Sequence, residues 1–191
     1  WGRLDVAIAN AGFGVSGPVL GLSADNWRRQ LEVNVVGAAI TMAAAAPELQ
    51  KTGGRLGVVG SVSGYVAVPG NGAYTASKFA IRGMVLTMAQ ELHGTGVSVT
   101  GLYPGFVESD ITRVDNDGVY HPDRKDPRPA KLMWKADKAA RVCVKAMDAR
   151  RVEFVFTGHG KIGAFLGMHF PGFVHFVISR LGGRAKSGLP G

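Results

Sequence analysis

The sequence predicts an α/β domain, and three observations carry that expectation. Short apolar runs at residues 4–10, 55–60, 97–102 and 152–157 alternate with longer stretches of helical periodicity. Turn-forming residues close the first three runs: Ala11-Gly12-Phe13-Gly14, Gly60-Ser61 and Pro104-Gly105. The 28 glycines suit many tight strand-to-helix turns, and 191 residues that are 46% hydrophobic and 19% charged make one domain with a substantial core.

Residues 4–10 (L-D-V-A-I-A-N) are expected to form a short buried strand, and Gly17-Pro18 prolongs the loop after it. Ser23 is a good N-cap for the helix that follows. Leu31, Ala38, Met42, Ala45 and Leu49 recur along it at helical spacing and are expected to face the core. Asn34 also lies on this helix, where an asparagine ordinarily points to solvent. Residues 55–60 form a second strand that delivers Ser61 at its carboxyl end, the end beyond which ligands bind in such sheets. A Gly/Pro-containing loop over 62–72 leads to a helix over 73–93. Its apolar stripe is Ile81, Met84, Val85, Met88 and Leu92, with His93 at its dipole's negative end and Gly94 as its stop. Residues 97–102 form a third strand. Residues 110–135 are polar, contain Pro122, Pro127 and Pro129, and are expected to form a long loop or lid over the substrate. His121 within it has no partner at metal-ligand spacing and is expected to be solvated. An amphipathic helix over 136–149 and a strand over 152–157 complete the series.

The chemistry concentrates in residues 60–78. Tyr74-x-x-x-Lys78 places both side chains on one face of a helix. An ammonium beside a phenol favours the phenolate, so Lys78 is expected to lower the Tyr74 pKa and make it a proton donor and acceptor near neutral pH. Ser61, brought opposite, supplies a second hydroxyl for a substrate oxygen. Tyr-x-x-x-Lys alone is a weak signal. Four further features strengthen it: Asn10-Ala11-Gly12 after a strand, Asn34 in a helix, Ser61 at its distance before Tyr74, and Pro104-Gly105 after another strand.

In this order and spacing the set resembles the short-chain dehydrogenase/reductase family over residues 1 to about 157. The resemblance implies a Rossmann-type doubly wound parallel sheet and hydride transfer between NAD or NADP and an alcohol or ketone. It implies catalytic roles for Asn34, Ser61, Tyr74 and Lys78, with Asn34 holding a relay water. It places the Asn10, Ala11 and Gly12 backbone near the adenosine side, Tyr74 and Lys78 at the nicotinamide ribose, and Pro104, Gly105, Val107 and Ser109 at the nicotinamide. Two departures stand out: Ala9 replaces the first Asn of the family's Asn-Asn-Ala-Gly, and Ser109 stands where Thr is usual. The family also implies a homo-oligomer built through the two long helices. It places a Gly-rich phosphate loop on an earlier strand, and this chain has none ahead of Asn10. The chain is therefore expected to lack the family's N-terminal strands and that loop, to expose residues 4–10 as a sheet edge, and to bind cofactor weakly by itself. Two rivals stay open: a truncated, non-catalytic paralogue acting as an interaction or membrane-associated module, and an epimerase or dehydratase of the extended branch.

Charge divides the chain. Residues 1–120 hold 8 Lys+Arg against 9 Asp+Glu, whereas residues 121–191 hold 14 against 5. No zinc-finger, helix-turn-helix or RNA-binding signature accompanies this basic third, which argues against nucleic acid as the partner. The single cysteine, Cys143, fits a reducing compartment, and the expected location is cytoplasmic. Residues 158–191 lie beyond the family's shared core. They are apolar and broken by Pro171-Gly172 into two helical pieces, with Lys161, Arg180, Arg184 and Lys186 flanking. Two readings stay open there: an extension packed on the pocket or another subunit, and peripheral membrane contact through residues 158–186. The stretch falls short of a span.

Overall fold

The computed structural model describes residues 1–181. Four parallel strands form one sheet in sequence order: β1 (Val6–Ala9), β2 (Arg55–Val59), β3 (Ser98–Tyr103) and β4 (Glu153–Val155). Parallel strands require crossover connections, and helices supply them. α1 (Ala24–Leu31), a π-helical turn (Glu32–Val36) and α2 (Gly37–Thr52) connect β1 to β2. α3 (Gly72–Glu91) connects β2 to β3, and α4 (Ala136–Asp148) precedes β4. The chain ends in α5 (Gly158–His169) and α6 (Pro171–Leu181). The sheet thus has helices on both faces and is α/β as expected, with the strands stepping in one direction only.

The main core lies between the sheet and α2 and α3. Leu56, Val58 and Val99 meet Met42, Ala45 and Leu49 from α2 and Ile81 and Val85 from α3. On the opposite face Leu102 packs against Ala146 and Met147 of α4, with Cys143 partly buried beside them. β1 is an edge strand and is not buried as expected: its Val6 and Ile8 are exposed on α4's side of the sheet, where α4 covers β2 and β3 but not β1.

One core expectation is overturned. Leu31 is 37% exposed, and its neighbour Gln30 is fully buried instead. The cause is the π-helical turn Glu32–Val36, which inserts a residue into the helix and breaks the phase between α1 and α2. Ser23 does cap α1, accepting from Asn26 N in a reciprocal capping box. α3 stops at Glu91 and Gly94 takes a φ of 80°, which favours glycine. Residues 110–135 carry two short 3₁₀ turns, Asp110–Arg113 and Ala130–Leu132. His121 is not simply solvated: its Nε2 lies 2.6 Å from Asp115 Oδ2, and that contact holds the Asp115 carboxyl below its ordinary range. Arg184 and Lys186 lie outside the described residues.

Candidate active site

Strand register brings the site together. Val59 of β2 pairs with Leu102 of β3, so Ser61 and Pro104-Gly105 leave the sheet side by side at its carboxyl edge. Val62 N donates to Pro104 O at 2.9 Å and locks the two exits together. α3 then places Tyr74 over the same edge. Ser61 and Tyr74 line one cleft of about 620 Å³, with Gly105, Phe106, Arg128 and His159 on its other walls.

Lys78 sits behind Tyr74. It is 5% exposed, its Nζ donates to Val59 O at 3.0 Å, and burial pushes its pKa down to about 8. The expected effect of Lys78 on Tyr74 is not found. Lys78 Nζ stands 5.6 Å from the Tyr74 ring centroid, and the Tyr74 pKa is raised rather than lowered. Burial dominates and disfavours the phenolate, while the Ser61 hydroxyl and the Arg128 guanidinium act the other way. At neutral pH Tyr74 is therefore a loaded proton donor. Ser61 Oγ accepts from Ser63 N at 3.1 Å, which leaves its own proton to donate into the cleft.

Asn34 points inward, not to solvent. Its Oδ1 accepts from Phe13 N, and its Nδ2 donates to Phe13 O and to Ser77 Oγ, at 3.0 to 3.1 Å. Ser77 Oγ in turn donates to Tyr74 O at 2.7 Å. Asn34 thus straps the loop after β1 to α3. Gly12 ends up against both functional groups: a methyl there would lie 3.1 Å from Asn34 Oδ1 and 3.8 Å from Lys78 Nζ. Asn10 and Ala11 are exposed at the strand end. The run Gly12-x-Gly14-x-x-Gly17 has the spacing of a dinucleotide phosphate loop. It does not open a helix, since α1 begins at Ala24, so it is not that motif.

Val107 and Ser109 lie further out. Trp134 N donates to Phe106 O and Glu108 N donates to Trp134 O, which turns the Val107 N–H toward the opposite edge. Arg128 grips this segment, donating to Val107 O at 2.9 Å and to Ser109 O at 3.1 Å while paired to Asp126. Ser109 Oγ faces Val107 O at 3.4 Å.

Sequence reasoning missed three residues of this site. Gln30 supports Asn34: its Oε1 accepts from Val15 N at 2.6 Å and its Nε2 donates to Phe13 O at 3.0 Å. Two amides four residues apart on one helical face were the available signal. His159 Nε2 accepts from Phe106 N at 3.0 Å, and the ring stacks on Phe106. Its place just past a strand's carboxyl end was the clue. Arg128 had no such signal. Among the described residues, no three His, Cys, Asp or Glu side chains gather where they could hold a metal.

A family model described as short chain dehydrogenase matches residues 1–119. The chain belongs to the short-chain dehydrogenase family. A human relative of this family, 17-beta-hydroxysteroid dehydrogenase type 1, is 41% identical over 100 residues, covering 52% of this chain and 30% of its own length. Across the curated relatives it matches, the chain spans about half of their length or less. Short-chain dehydrogenases of known structure share the fold. One from Burkholderia cenocepacia in complex with NADP superposes with a TM-score of 0.79 at 24% identity, covering 92% of this chain and 68% of that one. Another from Burkholderia phymatum in complex with NAD gives 0.73 at 24% identity, covering 86% and 65%.

Proposed function

We propose that this chain carries the catalytic side of an oxidoreductase that interconverts a lipophilic secondary alcohol and its ketone with NAD or NADP. The observation that carries this reading is the convergence of Ser61 and Tyr74 on one cleft with Lys78 buried behind them. The residues present fit a dinucleotide. Lys78 Nζ has three donors and, among the described residues, a single acceptor in Val59 O, leaving two N–H groups for ribose hydroxyls. The Val107 N–H faces away from its pairing with Trp134, as a carboxamide contact requires. Bound there, the dinucleotide supplies or accepts the hydride.

The chain's own residues handle the proton. In reduction Tyr74 Oη gives its proton to the substrate oxygen as the carbon gains hydride, and in oxidation it takes that proton back. Ser61 donates a hydrogen bond to the same oxygen and stabilises its developing charge. Lys78 holds the ribose and keeps positive charge near the phenol. Asn34 positions the Phe13 loop and α3, which is a structural task in addition to the relay role that the family suggests. Val62, Val66, Phe106 and Ile111 make the cleft apolar, which supports a lipophilic substrate, as does a relative named for a hydroxysteroid. We take residues 1–157 as the catalytic body and 158–191 as an apolar and basic C-terminal extension. Exposed Ile40 and Phe79 beside a shallow depression lined by Met42, Met84 and Met88 support pairing of two copies through α2 and α3.

NADH and NADPH fluorescence titration tests the reading. This chain alone is expected to bind weakly, because β1 is an open edge and its Gly12-x-Gly14-x-x-Gly17 run does not open a helix. A longer version that adds such a loop is expected to saturate and to oxidise cyclic alcohols. Failure of the longer version to bind either nucleotide would overturn the proposal.

A further inference from the structure

An ordinary surface helix turns its large apolar side chains inward. α5 does the reverse. Gly160, Gly163 and Gly167 recur along its inner face, with buried Ala164 among them. They bring the helix hard against the loop after β2. A methyl on Gly160 would press on Val62 Cγ2 at 2.9 Å, and one on Gly167 would collide with the Tyr65 carbonyl. The large side chains point outward. Ile162 and Phe165 form one exposed ridge, at 64% and 55% exposure, and half-exposed Met168 ends it with its Sδ turned back toward Arg82 of α3. Phe170, Phe173 and Phe176 form a second, each more than half exposed. A helix that is apolar on every side normally lies inside something, and nothing among the described residues covers these ridges.

Charge indicates the occupant. From residue 154 onward the sequence has no Asp or Glu, while Lys161, Arg180, Arg184 and Lys186 are cationic. Lys161 is exposed at the start of α5 and Arg180 near the end of α6, its guanidinium 5.0 Å from the Phe176 ring. Long basic side chains at the ends of an apolar segment reach headgroups while their stems lie along the acyl layer. The rim of a protein interface is usually of mixed polarity, whereas among the described residues the charged side chains carried by α5 and α6 themselves, Lys161 and Arg180, are both cations. The two helices meet at a bend of 117°, and neither alone is long enough to cross a bilayer.

We propose that the outer ridges of α5 and α6 dock in the plane of an anionic phospholipid surface, with the phenylalanines at the acyl boundary and Lys161 and Arg180 at the phosphates. This holds whatever the cleft catalyses. His159 and Gly163 on the inner side of the same helix line the cleft, so the docked surface lies about one helix diameter, ~10 Å, from it.

Vesicle flotation of the full 191-residue chain tests the proposal. On phosphatidylcholine vesicles containing about one-third phosphatidylglycerol, the chain is expected to float, and to bind about tenfold or more weakly on pure phosphatidylcholine or in high salt. The exposed triple variant Phe165→Ser, Phe173→Ser, Phe176→Ser is expected to keep its circular dichroism spectrum and lose binding about tenfold or more. Lys161→Glu with Arg180→Glu is expected to weaken binding on the anionic vesicles only. A chain that stays at the bottom of the gradient, or a triple variant that floats as well as the parent, would overturn the docking surface. So would sedimentation data in which the triple variant abolishes self-association while vesicle binding is absent; the ridges would then join two copies of this chain.

Discussion

Helices α3 and α5 wall the same cleft and are anchored by opposite means. α3 is held by volume: Ile81 and Val85 fill the space beneath it, which fixes Tyr74 and Lys78 at their stations. α5 is held by the absence of volume: its glycines let it settle onto the Val62–Val66 loop, and its bulk is left facing out. A helix that presents catalytic side chains needs a rigid seat. A helix that closes a cleft while meeting a second surface needs close approach on one side and large side chains on the other.

The strongest perturbation separates chemistry from seating. In a length of the protein that turns over, Tyr74→Phe is expected to lower kcat about 10²–10⁴-fold, with near-UV circular dichroism unchanged. Next come the seats themselves. Ile81→Ala is expected to cost about 3 kcal/mol in urea unfolding, as a buried cavity does, and Gly167→Val about 2 kcal/mol, as overpacking does. Phe165→Ser on the outer side of α5 is expected to stay within ~0.5 kcal/mol. Equal losses for Phe165→Ser and Ile81→Ala would break the comparison.

Lys78 sharpens it differently, because its placement on α3 opposes stability. Its pKa of about 8 lies below the ordinary 10.5, so the unfolded chain binds more protons between these values. The penalty for burying the charge is therefore present at neutral pH and is relieved as pH rises from about 8 to 10.5. Lys78→Met is expected to raise neutral-pH stability by ~1–3 kcal/mol and to flatten that alkaline rise, read by urea titration across pH. The smallest effect belongs to α5. Burial holds the His159 pKa below 6.5, and its Nε2 accepts a backbone proton only when neutral. Its contribution is present above pH 6.5 and is lost as pH falls through the lowered value. Trp134 sits on Phe106 through the N–H it donates to Phe106 O, so its fluorescence is expected to show an acid step that His159→Gln lacks.

Much of this arrangement was legible beforehand. Short apolar runs marked all four strands, three of them closed by turn-forming residues, and Pro171 marked the break between α5 and α6. Ser61, Tyr74 and Lys78 were singled out by type and spacing and Asn34 through the family resemblance, and the fold sets Ser61 and Tyr74 on one cleft with Lys78 buried behind them. The failures have specific causes. Leu31 was misassigned because a π-helical turn is invisible to a fixed helical period. The Tyr74 pKa direction was misread because burial, which raises it, outweighs the lowering by Ser61 and Arg128, and burial is not readable from the spacing of a tyrosine and a lysine. In α5 the glycines (Gly160, Gly163, Gly167) and the large apolar residues (Ile162, Phe165, Met168) recur at interleaved helical spacings, so periodicity revealed a helix without saying which stripe faced in.

Arg82 joins the two helices. It lies four residues after Lys78 and eight after Tyr74, on the same face of α3. Its guanidinium grips Glu153 of β4 at 2.7 Å, lies 4.3 Å from the Tyr65 ring centroid, and donates to Met168 Sδ of α5 at 3.4 Å. Mechanically this side chain is a tie rod. A load applied to α5 from outside would pass through this side chain to the helical face that carries Tyr74 and Lys78.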